Sequence, residues 1–314
     1  MSIHTRFIRK VIGVALLSVA AEGRSADIAY RTVDVEGVSV FYREAGDPKA
    51  PTVLLLHGVP SSSRMYDGLM RRLADRYHLI APDYPGFGHS GAPSPQQFTY
   101  TFDHLAAVIS KFADAVRLQR YVLFMQDYGA PVGLRLAIAR PDSVIGMVFQ
   151  NGNVYADGLG AVWEKRKAYW ADRAAHEAEV QAGHLSLDVT RSRHLGSDPD
   201  REAYDPDLWT DEVAFLNRPG GAAIQSQLIY DYQTNLASYS AWQGWLRQQA
   251  LPTLVLWGRY DQAFTVPGAW AFRKDLPDAE IHILDAGHFA MDTRLGEVEA
   301  LTRSFLSKLP GSRP

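Results

Sequence analysis

The chain has 314 residues, a formal net charge of −3 and 46% hydrophobic residues, which is typical of a globular protein. The near balance of acidic and basic residues argues against nucleic acid as a partner, because a nucleic-acid surface needs a surplus of positive charge. Cysteine is absent, which excludes disulfides, thiolate metal ligands and a cysteine nucleophile.

The N-terminal segment has the pattern of a secretory signal peptide. Three basic residues precede an apolar run over residues 11–21, and small residues suitable for cleavage follow. The run is shorter than the roughly 20 residues that span a bilayer. We therefore predict that residues 1–26 form a signal peptide or leader, and that the mature chain has no membrane span. Periplasmic or secreted localisation follows from this prediction, and a cytoplasmic protein with a leader is the alternative.

Strand and helix patterns alternate over residues 27–151. A hairpin that turns at Glu36-Gly37 comes first, and apolar runs then alternate with segments of helical spacing. The predicted order is strand TVLLL, helix SRMYDGLMRRLADRY, strand HLIAP, helix TFDHLAAVISKFADAVRL, strand RYVLFMQ, a helix after Gly129 and strand SVIGMVFQ. Continuous apolar strands that alternate with helices indicate an α/β protein with a parallel, doubly wound sheet.

The alternation stops over residues 152–247, which contain helical stretches and no run typical of a buried strand. It resumes over residues 248–314 with strand PTLVLWG, helix VPGAWAFRKDL, strand AEIHIL and helix GEVEALTRSFLSKL. We therefore predict one sheet domain, built from residues 27–151 and 248–314, with a helical cap inserted at residues 152–247. Five tryptophans of the insertion either line an apolar pocket or pack its helices: Trp163, Trp170, Trp209, Trp242 and Trp245.

The segment MQDYG places a carboxylate, Asp127, directly after a buried strand and just before a helix. A charge at such a position is costly unless it has partners or a function. Strand, sharp turn and helix form the nucleophile elbow of G-x-S-x-G hydrolases, which raises one side chain above the carboxyl edge of the sheet. Here the raised residue is Asp127, and Met stands at position 125 instead of Gly. A structural Asp that caps the next helix is the alternative.

Two further residues follow predicted strands, Asp261 in WGRYDQ and His288 in DAGHF. Each alone is explained by a turn or by a buried histidine, but the order nucleophile, acid, histidine is that of hydrolases with such an elbow. The three positions together predict an Asp127–His288–Asp261 triad. The loop HGVP after the predicted strand TVLLL predicts an oxyanion hole formed by the backbone N–H groups of Val59 and Tyr128.

The stretches HGVP, DYPGFGHS, QDYGAPVG, WGRYDQ and DAGHF together resemble the epoxide hydrolase and haloalkane dehalogenase branch of the α/β-hydrolase superfamily. The resemblance covers nearly all of the chain from about Tyr30 onwards. It implies the α/β-hydrolase fold with a helical cap, an Asp nucleophile, and a small apolar substrate with water as the second reactant. It implies no cofactor and no metal.

An Asp nucleophile implies attack at an sp³ carbon and a covalent alkyl-enzyme ester, which water activated by the histidine then hydrolyses. In epoxide hydrolases, cap tyrosines protonate the leaving oxygen. The stretch QLIYDYQTN resembles their Tyr-x-x-Asn spacing through Tyr232 and Asn235, although Gln233 replaces the usual Arg. Tyr169 in KAYWAD is the candidate for the second tyrosine. The resemblance thus implies an epoxide hydrolase with Tyr232 and Tyr169 as its acids.

Haloalkane dehalogenases commonly hold the halide with an Asn after His-Gly and a Trp after the nucleophile. Val59 and Tyr128 occupy these positions, which argues against halide chemistry. A haloalkane dehalogenase or a related carbon–halogen hydrolase on the same triad is the first alternative. A non-catalytic ligand sensor on the same fold is an alternative of another class, and the intact triad argues against it.

Overall fold

The computed structural model describes residues 27–310, apart from the side chains of residues 184 and 185. The predicted signal peptide at residues 1–26 lies outside the described residues. Eight strands form one sheet: β1 (Ala29–Val35), β2 (Val38–Ala45), β3 (Thr52–Leu56), β4 (His78–Pro82), β5 (Tyr121–Gln126), β6 (Val144–Gln150), β7 (Thr253–Gly258) and β8 (Glu280–Leu284). Their order is β1-β2-β4-β3-β5-β6-β7-β8. The pairs β1–β2 and β2–β4 are antiparallel, and all other neighbouring pairs are parallel.

The predicted hairpin joins β1 and β2. Glu36 and Gly37 both have positive φ angles, 52° and 82°, as a two-residue turn of the primed type requires. The turn sets the register in which Val35 pairs with Val38 and Ala29 pairs with Glu44.

Eleven α-helices occur within residues 27–310: α1 (Asp67–Leu73), α2 (Phe102–Ala115), α3 (Gly129–Ala139), α4 (Val162–Ala171), α5 (Arg173–Leu185), α6 (Leu187–Leu195), α7 (Leu208–Leu216), α8 (Gly221–Asp231), α9 (Gln233–Gln249), α10 (Val266–Ala271) and α11 (Ala290–Leu306). None of these helices is long and apolar enough to cross a membrane. Thr101 caps α2, because its side chain accepts a hydrogen bond from the N–H of His104.

Both faces of the sheet are covered, as the continuous apolar strands predict. Successive side chains of a strand point to opposite faces. Leu54 and Leu56 therefore join the core shared with α2, α3 and α10, whereas Val53 and Leu55 join the core shared with α1 and α11. This two-sided burial confirms the doubly wound α/β sheet and leaves the carboxyl edge of the parallel strands free for a site.

Helices α4–α9 lie between β6 and β7, in the segment proposed as the cap. A buried histidine on α6, His194, ties this helical insertion to the sheet domain. Its Nε2 lies 2.7 Å from Oε2 of Glu212 on α7, and its Nδ1 lies 2.7 Å from Oδ2 of Asp292 on α11. Burial disfavours the charged form of His194, but the two carboxylates outweigh it and raise its pKa to about 10.

The last helix begins earlier than its sequence pattern predicts. The pattern favours a start at Gly296, whereas α11 begins at Ala290 and has a non-helical kink at Arg294. Ala290 and Met291 are buried against the core, and Nε of Arg294 donates to the carbonyl of Asp285 over 2.9 Å. Tertiary packing thus extends the helix across a segment that has no amphipathic repeat.

Candidate active site

Asp127 lies on a sharp turn between β5 and α3. The strand ends at Gln126 and the helix begins at Gly129, so only two residues connect them. Asp127 has a φ of 48°, in the left-handed region that Asp tolerates better than most residues. A Cβ at position 129 would lie 2.1 Å from the carbonyl oxygen of Leu56, so only glycine lets α3 pack this closely behind β3.

The structure brings the three predicted triad residues together at the carboxyl edge of the sheet. Asp261 follows β7 and His288 follows β8. Nδ1 of His288 lies 2.6 Å from Oδ2 of Asp261, and its Nε2 lies 3.6 Å from Oδ2 of Asp127. Each of the three residues is 5% exposed, so the interactions are sheltered from bulk water.

Asp261 is held rigidly by hydrogen bonds from two sides. Its Oδ1 accepts from the N–H groups of Ala263 and Phe264 over 2.7 and 3.0 Å. Its Oδ2 accepts from the amide of Asn151 over 2.8 Å, in addition to its contact with His288. These bonds satisfy a buried carboxylate and orient it towards the imidazole.

Asn151 belongs to the site, although the sequence analysis did not select it. It directly follows β6, has a φ of 44°, and accepts a hydrogen bond from the N–H of Gly258 over 2.7 Å. The signal that identifies Asp127, a polar residue immediately after a buried strand, applies equally to this position.

Gln126 is a second neighbour that the sequence analysis did not select. Its Nε2 lies 2.8 Å from Nε2 of His288, and the side chain is fully buried. Gln150, at the end of β6, donates to the backbone carbonyl of His288 over 3.0 Å. The side-chain amides of Gln126 and Gln150 therefore lie against the ring and the backbone of His288.

The electrostatics favour an ion pair between Asp127 and His288. Burial disfavours the ionised Asp127, but the His288 side chain and the N–H groups of Val59 and Tyr128 outweigh it and keep the pKa of Asp127 below its ordinary value. Burial likewise disfavours the imidazolium, but Asp261 and Asp127 raise the pKa of His288 to about 9. At neutral pH the site thus holds a carboxylate beside an imidazolium.

The backbone N–H groups predicted as an oxyanion hole lie at the Asp127 carboxylate. The N–H of Val59 donates to Oδ1 of Asp127 over 2.9 Å, and the N–H of Tyr128 also bonds this carboxylate. A Cβ at Gly58 would lie 2.3 Å from the Cβ of Asp127, so glycine is needed where this loop passes the carboxylate. Oδ1 is therefore held by the backbone, and Oδ2 is the oxygen on the His288 side.

Tyr232 packs near the triad with a partner that the sequence analysis did not select. Its ring lies 5.8 Å from that of Tyr128 and 4.7 Å from that of Trp163, measured between centroids. Its hydroxyl pairs with the hydroxyl of Tyr239, which accepts from the amide of Asn153 over 3.2 Å. Tyr239 follows Tyr232 by seven residues, the spacing that places two side chains on one helix face.

Both tyrosines are neutral at physiological pH. Burial, the paired Tyr239 and the nearby charge of Asp127 raise the pKa of Tyr232 well above its ordinary value. Burial also raises the pKa of Tyr239, and the charge of Asp127 acts on it in the same direction. A protonated phenol pair thus lies within electrostatic reach of Asp127.

The structure does not bring Tyr169 to the triad. Its hydroxyl bonds the side chain of Ser226 on α8 over 2.7 Å, and its ring packs edge-on against Tyr230. Ser226 in turn donates to Glu177 on α5 over 2.6 Å. This chain of hydrogen bonds joins α4, α5 and α8 to one another. The Tyr169 hydroxyl is thus satisfied within the insertion.

A cavity of about 600 Å³ opens between the triad and the helical insertion. Asp127, Asp261 and His288 form its base. Aliphatic side chains contribute part of its wall: Val59, Val162, Val180, Val189 and Ile229. Ionisable residues of the insertion also line it: Lys165, Arg166, His176, Glu179 and Arg193.

The five tryptophans of the insertion are not among the residues that line this cavity, so packing accounts for them. Tyr232 is also not among the lining residues, and its ring packs against Trp163. Within residues 27–310, no group of three or more His, Asp or Glu side chains is arranged to hold a metal ion.

Comparison with known proteins places this geometry in a family. The family model for the alpha/beta hydrolase fold matches residues 51–295. The chain is 40% identical over 265 residues to the uncharacterized hydrolase YNR064C of Saccharomyces cerevisiae, across 83% of this chain and 90% of the yeast protein.

Two more distant similarities concern proteins with named activities. Haloalkane dehalogenase 2 of Mycobacterium tuberculosis is 43% identical over 101 residues, across 32% of this chain and 35% of that protein. The solved structure of the epoxide hydrolase CorEH superposes with a TM-score of 0.72 at 16% identity, across 90% of this chain and 99% of that one. With its eight-stranded sheet and its matching family model, the chain belongs to the α/β-hydrolase family.

Proposed function

We propose that this protein is an epoxide hydrolase that uses Asp127 as its nucleophile and forms a covalent alkyl-enzyme ester. One observation carries the proposal: Asp127 occupies the elbow with Oδ1 on the Val59 N–H and Oδ2 towards His288, which Asp261 holds. A carboxylate in this position suits displacement at an sp³ carbon, because it is already ionised and needs no base.

The two carboxylate oxygens have different roles in the first step. Oδ2 of Asp127 attacks the epoxide carbon, a new C–O ester bond forms and the ring C–O bond breaks. The leaving oxygen takes up a proton from the Tyr232 hydroxyl, which pairs with Tyr239 outside the cavity lining and must turn towards the cavity when substrate binds. Oδ1 stays in its hydrogen bond from Val59 and becomes the carbonyl oxygen of the ester.

The second step uses His288 as the base. Esterification removes the charge of Asp127, one of the interactions that raise the pKa of His288. The imidazolium then gives up its proton more readily, and this proton returns through solvent to the Tyr232 phenolate. The neutral imidazole takes a proton from a water molecule, which attacks the ester carbonyl carbon. The oxyanion forms at Oδ1, within the N–H groups of Val59 and Tyr128, and its collapse releases the diol and restores the Asp127 carboxylate.

Two features favour an epoxide over a halide as the leaving group. The Tyr232–Tyr239 pair keeps its hydroxyls protonated within electrostatic reach of Asp127. The indole N–H of Trp163, the tryptophan nearest this pair, is engaged, because it donates to the carbonyl of Ala263 over 2.8 Å. Haloalkane hydrolysis on the same triad is the second candidate, favoured by the similarity to haloalkane dehalogenase 2.

A substrate panel tests the proposed function. We expect the purified protein to convert terminal and aryl epoxides to vicinal diols, to convert matched bromoalkanes more slowly, and to leave p-nitrophenyl esters largely unhydrolysed. The measurement is product formation by chromatography, with Asp127→Asn as the blank. Rapid ester turnover that survives in Asp127→Asn would contradict the proposal.

The pKa of His288 leads to a prediction for the pH dependence of each step. A group with a raised pKa is protonated below that value, so the free enzyme carries the imidazolium below about pH 9. In the ester form the pKa of His288 is lower, because Asp127 is neutral. We expect ester hydrolysis to accelerate with pH up to an apparent pKa below about 9, whereas alkylation stays nearly constant because Asp127 remains ionised.

Single-turnover measurements of each step across this pH range check the prediction. A hydrolysis rate that does not vary with pH would contradict the role of His288 as the base.

A further inference from the structure

The cavity above the triad carries an excess of positive charge. Arg166 on α4 and Arg193 on α6 both line it, together with Asp127, Asp261 and His288. With His288 protonated, the triad carries one net negative charge, which the two arginines exceed by one. The other charged pair of the lining, Lys165 and Glu179, lies 3.9 Å apart and balances itself.

Arg166 is oriented by an aromatic ring. Its guanidinium carbon lies 4.2 Å from the centroid of Trp163, a contact that fixes the plane of the guanidinium. The lysines on either side of it, Lys165 and Lys167, pair with Glu179 and Glu164, whereas Arg166 forms no ion pair with a carboxylate within residues 27–310. Its N–H edge thus keeps the capacity for a planar, bidentate acceptor.

Arg193 acts on the same part of the cavity. Arg193 and Arg166 line the same cavity as Asp127, and the charge of Arg193 interacts with those of Arg166, Asp127 and Glu212. Burial and the like charge of Arg166 lower the pKa of Arg193 to about 10, so both arginines are charged at neutral pH. Two like charges beside one cavity repel each other, and an anion between them relieves that repulsion.

From this arrangement we infer that the substrate carries a carboxylate, which Arg166 and Arg193 bind while the reacting carbon lies at Asp127. The inference rests on the proposed function and names its substrate class. A cavity of about 600 Å³ accommodates both ends of such a molecule. An anionic substrate would otherwise be repelled by Asp127, and the arginines of the insertion offset that repulsion. The reaction is unchanged: the epoxide carbon of an oxirane carboxylate alkylates Asp127, and hydrolysis of the resulting ester gives a dihydroxy acid.

A binding experiment tests the carboxylate site without turnover. Calorimetry compares phenylacetate with phenylacetamide, which have the same shape but differ in charge. We expect phenylacetate to bind the wild type at least about 10-fold more tightly than the amide, the effect of one charge-assisted hydrogen bond. If the wild type binds the two ligands equally, or does not detectably bind phenylacetate, this result by itself overturns the inference.

Matched variants locate the site. Arg193→Gln and Arg166→Gln should each weaken phenylacetate binding by about 10- to 100-fold. Arg191→Gln on α6 and Lys167→Gln on α4 remove the same charge from exposed positions of the same helices, and neither residue lines the cavity. We expect these controls to change phenylacetate binding by less than about threefold. An equal loss of phenylacetate binding in the control variants would show that only the overall positive charge matters. It would overturn the inference that Arg166 and Arg193 form the carboxylate site.

Turnover separates this inference from the proposed function. We expect kcat/KM for 3-phenylglycidate to exceed that for 3-phenylglycidamide, and Arg193→Gln to lower that ratio by about 10- to 100-fold. Faster turnover of the amide would overturn the carboxylate site and leave the epoxide hydrolase intact. Selective binding of phenylacetate with no turnover of any epoxide would overturn the epoxide hydrolase activity and leave the carboxylate site intact.

Discussion

His288→Gln is expected to trap the covalent ester on Asp127. The substitution removes the base of the second step but leaves the nucleophile and its backbone donors in place, so alkylation continues and hydrolysis stops. Steady-state turnover should fall by at least about 10⁴-fold, the size of effect seen when one member of a catalytic triad is removed. Intact-protein mass spectrometry after mixing with substrate should show one added substrate fragment.

The added mass also identifies the leaving group. An epoxide adds its full mass, because ring opening retains the oxygen on the adduct. A bromoalkane adds only its alkyl group, because bromide departs. Peptide mapping should place the adduct on the peptide that contains Asp127.

Asp127→Asn and Asp127→Ala provide the controls for this trap. Combined with His288→Gln, either change should abolish the adduct. Asn tolerates the left-handed backbone at this position, whereas Ala costs about 1 kcal/mol or more of stability there. An adduct that persists in the Asn double variant, or no adduct despite normal substrate binding, would exclude Asp127 as the nucleophile.

Tyr232→Phe is expected to slow epoxide opening by roughly 10²–10⁴-fold, the range for the loss of general-acid assistance. The leaving alkoxide is strongly basic and needs a proton during attack, whereas bromide leaves without one. The substitution removes only a hydroxyl from a buried ring, so packing against Trp163 and Tyr128 is preserved. Hydrolysis of a preformed ester should change much less, because that step uses His288 and water.

Single-turnover alkylation by one epoxide and one bromoalkane is the measurement for Tyr232→Phe. Tyr239→Phe should show a smaller loss on the epoxide, because Tyr239 orients the donor. Tyr169→Phe provides the comparison within the insertion, since its hydroxyl is bound to Ser226 and not directed at the triad. Equal, small effects of Tyr232→Phe on both substrates would remove this residue from the mechanism and favour halide chemistry.

The sequence by itself determined the sheet and the positions of its site residues. Apolar strands such as β5 must be buried on both faces, and a polar residue immediately after such a strand emerges at the carboxyl edge. Asp127 follows β5 directly, and Asp261 and His288 come three and four residues after β7 and β8. Their juxtaposition could therefore be predicted from these positions together with the chain order nucleophile, acid, histidine. The glycine after the elbow was likewise readable, since a helix that follows a strand so closely leaves no room for a Cβ.

Only the tertiary structure decided which polar groups surround the triad and which residues face the cavity. Asn151 reaches Asp261 across 110 positions of sequence, and Gln126 reaches His288 across 162, distances over which no periodic pattern carries information. The helices of the insertion pack against one another as well as against the sheet, so no single apolar face shows which of their residues are directed at the cavity. Their sequence therefore left open that Tyr169 bonds Ser226, that Tyr232 pairs with Tyr239, and that Arg166 and Arg193 line the cavity.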